Sequence, residues 1–596
     1  MAYAAPNSNK PDVIFPSDAG VINVKNYGAK GDGATDDTAA IQKAVSENLG
    51  NAGSRTAVIY FPAGTYIVSN TILPKKDPNA KGGWLPRLTL QGQNRDKSII
   101  KLKDNAPGYN NKSSPKAVLY TASGPDPGWP EKGEGGAAFN NHIFDLTVDV
   151  GKGNSGAIGI DYLANNTAAV RDVKIISHDG GYIGLALIRN YPGPALIKNV
   201  IIEGFDYGIK SEIIQTITTL EHITLKNQKI AGIHNTGHSF AIRDLQSEQT
   251  ENSVPAIITV GFITLVDATL KGSSPQSAID NRQPGDIFVR NIAASGYSSA
   301  LKNNGSVIPG TSINEFYSLQ VDSTYAYSLF NTPKTSLNLP IRETPEVPWD
   351  APDRWINVQA YGADGSGRKD FDNTPAVQKA IDDADRLGKT TLYFPKGQYA
   401  LGDTIHIRGN IRRVHFMMSS LGVVNSAANK FADGRPIIAI EEGKHPVVMI
   451  EGAGDSFGTG ATVFPKTSIK HISSSTLVLR NFGGNYENVV GSGPVFFEDH
   501  QWCGVFRSTK VWARQLNPES CSTTEGVNVN PYILNDGSDV WILGLKTERP
   551  TTIIETKNGG RTEVLGGAFF LAAQDKVPPS MPAIINRDSS QSLSFV

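Results

Sequence analysis

Val170-Arg171-Asp172-Val173, Ile197-Lys198-Asn199-Val200, Leu220-Glu221-His222-Ile223, Ile242-Arg243-Asp244-Leu245, Leu265-Val266-Asp267-Ala268 and Val289-Arg290-Asn291-Ile292 are six versions of one phrase. Each is a short apolar strand with a polar residue at its centre, and Phe144-Asp145-Leu146 reads as an earlier copy. The centres 145, 172, 199, 222, 244, 267 and 291 step by 27, 27, 23, 22, 23 and 24 residues. A period in the low twenties means one supersecondary unit stacked many times. A leucine-rich repeat would show L-x-x-L-x-L-x-x-N, which is missing. The segments between copies are rich in Gly, Asn, Ser and Thr and lack helical apolar spacing. The ladder therefore predicts an all-β chain built on a right-handed parallel β-helix, with inward side chains stacked into a core and outward ones forming a long flat face.

With 596 residues, more than one core is expected. The 60 glycines and 35 prolines suit many short strands and turns. A formal net charge of -1 supplies no basic field for nucleic acid and no polybasic membrane signal, and it suits a neutral ligand. No apolar run reaches membrane-spanning length, and residues 1 to 15 carry no signal-peptide pattern. Cys503 and Cys521 are the two cysteines, and a disulfide and a pair of buried thiols stay open at this point. No Cys/His zinc spacing exists, so neither metal nor other cofactor is expected.

The passage from Val21 to Tyr66 is written twice. Asn23-Val24-Lys25-Asn26-Tyr27-Gly28-Ala29, a helical stretch from Thr38 and Tyr60-Phe61-Pro62-Ala63-Gly64-Thr65-Tyr66 return as Asn357 to Ala363, a helix near Thr374 and Tyr393-Phe394-Pro395-Lys396-Gly397-Gln398-Tyr399. Such a helix lids the open end of a coil stack, where bare strand edges invite aggregation. The doubling predicts two tandem β-helix domains, 21–334 and 353–596, with an N-terminal arm over 1–20 and a Pro-rich linker over 335–352. Proline keeps that linker extended. The Gly31-Asp32-Gly33 turn lacks the spacing of a phosphate loop and reads as a turn before a capped helix. The second half is less regular, with rungs at Leu477-Val478-Leu479, Val540-Trp541-Ile542-Leu543 and Thr562-Glu563-Val564, and long excursions where function usually resides.

The doubled Tyr-Gly-Ala and Tyr/Phe-Pro-x-Gly-x-Tyr passages are similar to the pectate-lyase-superfamily domain. Two of them in tandem, with Val511 to Glu519 and Leu543-Gly544-Leu545-Lys546-Thr547-Glu548, resemble glycoside hydrolase family 55. The resemblance implies a secreted enzyme that cleaves β-1,3-glucan in exo fashion with inversion, at a cleft between the two β-helices. It places the general acid at Glu548, at the end of an apolar strand. It also implies that a Gln and a Ser orient the attacking water; Gln215 and Ser239, 24 residues apart, match. Glu525, 23 residues before Glu548, is one coil away if the register holds, and then lies about one strand spacing of ~4.8 Å off. Glu248 in Leu245-Gln246-Ser247-Glu248 mirrors Glu548 and is the rival acid. Trp502, Glu498, Asp499, Tyr486 and His238 are the expected sugar contacts, with Trp512, Phe496, Phe497, Tyr191, Trp129 and Trp84 as further aromatic options. A monomer is expected. Competing readings are a pectin hydrolase or lyase, for which the Arg-Ile-Lys motif and repeated Asp clusters are missing, and a non-catalytic tailspike-like binder.

Overall fold

The computed structural model describes residues 11–49, 57–75, 87–122, 138–190, 192–212, 216–250, 253–318, 335–454, 466–519, 531–570 and 581–595. Parallel strands dominate it. The first set, from Ile22–Asn23 to Ser312–Tyr317, forms one 23-stranded sheet system; the second, from Trp355–Asn357 to Ser590–Leu593, forms sheets of 10, 8 and 2 strands. Each strand pairs in register with the strand one coil on, as Ala195–Ser211 does with Ile217–Lys226, and that strand with Ser239–Gln249. The described pairings join no strand of one set to a strand of the other. Each set has its own apolar core, one running from Val24 to Ile313 and one from Ile356 to Val564.

The polar centres of the ladder are corners. Asp145, Asp172, Asn199, His222, Asp244, Asp267 and Asn291 all have φ between 52° and 59°. Asn and Asp tolerate this left-handed conformation because a short polar side chain can bond locally. The apolar residues on either side belong to two faces of the coil that meet at the bend. The second stack has a matching column at Gly452, Asn481, Asp499, Gln515, Gly544 and Gly566. Its steps of 29, 18, 16, 29 and 22 residues hide it from a search for a fixed period.

Both duplicated caps fold alike. Asn23 and Asn357 each accept a bond from the backbone two residues on, at 3.0 and 2.8 Å, and open a short 3-10 turn. Helices Thr38–Glu47 and Thr374–Leu387 follow. Asp37 does not cap its own helix. It accepts from Lys30 N and Gly31 N at 2.6 and 2.9 Å and so ties down the Gly-Asp-Gly turn. The first stack ends by turning antiparallel, Ile287–Ser295 against Ser312–Tyr317, which removes its open edge.

The arm is not merely laid on the surface. Val13 is buried, Phe15 packs edge-on to Tyr60 and Trp355, and Asp18 accepts from Tyr393 and Asn357, so residues 12–18 join the two caps. Residues 336–351 have no helix or strand and run as a wedge between the stacks. Leu339 N bonds Glu563, the Pro340 carbonyl accepts from Trp512 Nε1 at 2.9 Å, and the Arg342 carbonyl accepts from Arg514 at 2.6 Å.

At the seam the stacks nearly touch. A side chain on Gly544, φ 74°, would collide with Thr219 Oγ1, and one on Gly566, φ 79°, would reach 2.7 Å from Ala241 Cβ. Gly544→Ala therefore meets both a backbone penalty and overpacking, with an expected loss of about 2–4 kcal/mol. The control is Asp267→Gly, at a corner whose side chain is partly exposed. Urea denaturation that found the two variants equally stable would contradict this account of the seam.

Candidate functional site

The residue just before each corner points across the seam. Lys198 meets Glu498 at 2.5 Å, Glu221 meets Arg514 at 3.0 Å, Arg290 meets Glu563 at 2.8 Å, and Arg171 bonds corner residue Asn481 at 3.1 Å. Glu221 is fully buried. It accepts from Arg514 Nε at 3.0 Å to both oxygens, from Arg243 at 2.7 Å, and pairs with Lys198 at 3.0 Å. Burial opposes its charge, but Arg514, Lys198, His222 and Arg243 outweigh that and hold it well below the usual carboxylate range. Glu498 is also fully buried, between Lys198 at 2.5 Å and Arg480 at 2.6 Å.

Segment 336–351 is clipped to the first stack by Glu343, which takes Arg243 at 2.6 Å and His222 at 2.8 Å; the other nitrogen of His222 meets Asp244 at 2.6 Å. Burial alone would depress His222, yet Glu221, Asp244 and Glu343 overcome it and Lys198 to push it up to about 9. Donor atoms of Glu221, His222 and Glu343 lie within metal-binding distance of one another. Arg514, Arg243 and Lys198 already neutralise them, so the geometry is that of an ion-pair network. A raised histidine stabilises fully below its unfolded value near 6.5 and loses that contribution as pH rises through about 9. Stability should thus fall by about 2–3 kcal/mol between pH 7 and 10. In His222→Gln that slope should flatten; denaturation midpoints with an unchanged slope would refute the clip.

These contacts fix how the stacks oppose one another. Lys198 meets Glu498 and Glu221 meets Arg514, each just before its corner. Three residues before the corner, Thr219 bonds Gln515, itself a corner residue, at 2.8 Å. Four before, Ala168 N bonds corner residue Asp499 at 3.1 Å; six before, Asn166 bonds Asn517, two past its corner, at 3.1 Å. The chains run in opposite senses across the seam. The leading ends of first-stack strands thus share one edge with the trailing ends of second-stack strands. That edge brings Asn166, Thr216 and His238–Ser239 toward Trp502, Asn517–Glu519 and Lys546–Glu548.

Glu548 closes strand Asp539–Glu548 and its side chain is 45% exposed. Lys546, two residues earlier on the same face, is buried and contacts Glu548 at 2.5 Å. It also forms a close ion pair with Glu519, one coil back. Burial lowers the Lys546 pKa, and Glu548 partly opposes this. Arg549 then turns the chain with φ 75°, an unusual conformation for a long side chain, so the strand stops at the carboxylate. Trp502, with φ 98°, is half-buried, and its N–H donates to Asn517 O at 3.1 Å. Cys503 beside it is disulfide-bonded, and Cys521 is the one other cysteine of the chain.

Several expected sugar contacts are corrected. Glu498 and Asp499 are wholly buried; Asp499 is a corner that takes Ala168 N and Asn481, so both serve the seam. Tyr486 lies in the second core, its hydroxyl on His471 at 3.1 Å. His238 is buried, bonded to Thr218 at 2.9 Å and packed on Phe240. Phe496, Phe497 and Trp512 are buried too. Ser239 is 3% exposed at the head of Ser239–Gln249. Glu248 lies four residues past its corner, on the opposite edge from Glu548, between Lys226 and Lys271 at 3.5 and 3.6 Å. Gln215, Glu525, Tyr191, Trp129 and Trp84 fall outside the described residues. Sequence reading does not single out Glu519 and Lys546, which the structure brings to Glu548. Their signal was available: Lys546 and Glu548 alternate onto one strand face, and the step of 29 that aligns Leu516 with Leu545 also aligns Glu519 with Glu548.

The family described as "Rhamnogalacturonase A/epimerase, pectate lyase-like" matches residues 21–255 and 355–414, thus both caps. A glucan 1,3-beta-glucosidase of Cochliobolus carbonum is 23% identical over 458 residues, 70% of this chain and 55% of that protein. A probable glucan endo-1,3-beta-glucosidase of Arthroderma benhamiae is 47% identical over 317 residues, 49% of this chain and 34% of that protein. The chain thus spans between a third and just over half of these relatives. Among solved structures, the mannuronan C-5 epimerase AlgE6 A-module of Azotobacter vinelandii aligns over 96% of this chain and 99% of its own, at 12% identity and a TM-score of 0.22.

Proposed function

We propose that this chain, similar to the pectate-lyase-like family and to glucan 1,3-beta-glucosidases, is a β-helix enzyme that hydrolyses β-1,3-glucan at the seam edge between two tandem β-helix domains, 21–334 and 353–596. The observation that carries this reading is the trio Glu519–Lys546–Glu548 at a strand edge, beside half-buried Trp502. Both carboxylates share the Lys546 ammonium, and Glu548, the most exposed of the three, is the group proposed to protonate the leaving glycosidic oxygen. Glu519, deeper and tied to Lys546, is proposed to position that ammonium.

In an inverting reaction water attacks the far face of the sugar, with ~6.5–9.5 Å between the carboxyls to admit it. Ser239, with Gln215, is proposed to orient that water from the first domain, and Glu525 to support Glu548. Trp502 offers an apolar ring for a sugar face. Exo action, glucose as product and a monomeric state complete the proposal. Export is supported by the disulfide at Cys503, which persists in oxidising compartments, and no described helix is long and apolar enough to cross a membrane.

The test is product analysis on laminarin and polygalacturonate side by side. Glucose from laminarin with inverted anomeric configuration is the expected result. Unsaturated uronides, or no product from laminarin, would overturn the reading.

A further inference from the structure

We infer that the outer face of the first stack carries a docking stripe for a neutral β-1,3-glucan strand, formed by Tyr182, Tyr207 and His234. The choice of polymer rests on the proposed function; the existence of the stripe rests on its own geometry. Tyr182 and Tyr207 meet edge to face with centroids 5.8 Å apart, and Tyr207 and His234 lie 5.2 Å apart at 31°. The three rings sit on successive coils, and coils are ~4.8 Å apart, so the rings span ~10 Å along the stack. All three are half-buried. Tyr182 and Tyr207 are seated on Ala117, Ile158, Ile183 and Ala186, outside the main core. Part of each ring therefore remains for a ligand, and a sugar ring stacks on such a face through apolar burial.

The charges around the stripe say what kind of polymer fits. Lys210 lies 5.7 and 5.5 Å from the two tyrosine centroids but is paired with Glu212 at 2.6 Å. Arg189, 4.0 Å over Tyr120, is paired with Asp161 at 2.8 Å. Lys112 is paired with Asp206 at 2.5 Å. Burial, Lys210 and Arg282 lower the pKa of His234 and keep its ring uncharged. Each flanking cation already has its carboxylate, so a polyanion would compete with internal pairs, whereas an uncharged glycan displaces none of them. The stripe also leads to the candidate site: strand Ala231–Asn235, which carries His234, runs through Thr236–His238 into Ser239.

The experiment measures depletion onto insoluble β-1,3-glucan, in a Glu548→Gln background to prevent digestion. Tyr182→Ala/Tyr207→Ala is expected to bind roughly tenfold to a hundredfold more weakly. Tyr182→Phe/Tyr207→Phe, which keeps the rings, should bind within about twofold, and matching thermal melts exclude misfolding. Unchanged binding by the alanine pair, or equal loss in the phenylalanine pair, would overturn ring stacking and leave the hydrolase reading standing. Wild-type protein that neither binds nor cleaves β-1,3-glucan would overturn both.

Discussion

Glu548→Gln is expected to lower glucose release from laminarin by about 10²–10⁴-fold, the range general acid catalysis supplies. The substitution keeps the shape of the side chain, and Lys546 retains Glu519, so the strand edge should hold together. What disappears is the proton for the leaving oxygen. Loss should therefore be greatest for sugar leaving groups and much smaller for an activated aryl leaving group, which departs without protonation. That contrast separates a lost acid from a lost fold. Glu519→Gln is the necessary companion, because both carboxylates touch the same ammonium. If Glu519→Gln shows the larger loss on laminarin and the smaller on the aryl substrate, the acid is Glu519 and the roles proposed for the trio are reversed. Glucose release within tenfold of wild type in Glu548→Gln removes that residue from the chemistry altogether.

The first stack is legible because its corners require a residue that accepts left-handed φ, and Asn, Asp and one His at steps of 22 to 27 advertise that need. In the second stack the corners fall to Gly, Asn, Asp and Gln at uneven steps, so only isolated rungs stood out. The site was less legible for a reason of pairing. Glu498 and Asp499 sit in an apolar strand, and read alone they suggest groups kept for a ligand. Their partners, Lys198 and the Ala168 N–H, are some 300 residues away in sequence and come from the other stack. Aromatic residues carry the same ambiguity: Tyr486 fills the core and Trp502 stands at the edge, and residue type alone does not separate them. In the Leu-Lys-Thr-Glu strand end the glutamate draws the eye, while the lysine bridges the two carboxylates.

Removing the carboxylate of Glu221 should be among the most damaging single changes outside the candidate site, costing about 3–5 kcal/mol. Glu221→Ala would leave Arg514, Lys198 and Arg243 facing one another across a cavity, since both Glu221 and Arg514 are wholly buried. Glu221 is the one carboxylate that all three contact closely, while Glu498, Glu343 and the Arg342 carbonyl hold only one each. Replacing both members, Glu221→Met with Arg514→Met, fills the volume without an orphaned charge, and buried pairs replaced this way are often neutral or better. The double variant should thus be more stable than Glu221→Ala, and a cycle through the single methionine variants should show coupling of at least ~1–2 kcal/mol. Because the pair joins the stacks, Glu221→Ala should also split urea unfolding into two transitions. Activity should fall before either stack melts, as the proposed site needs residues from both. A single transition with a loss under ~1 kcal/mol would mean that the apolar seam around Trp541, Leu543 and Leu565 holds the stacks unaided, and that the buried charges only set their register.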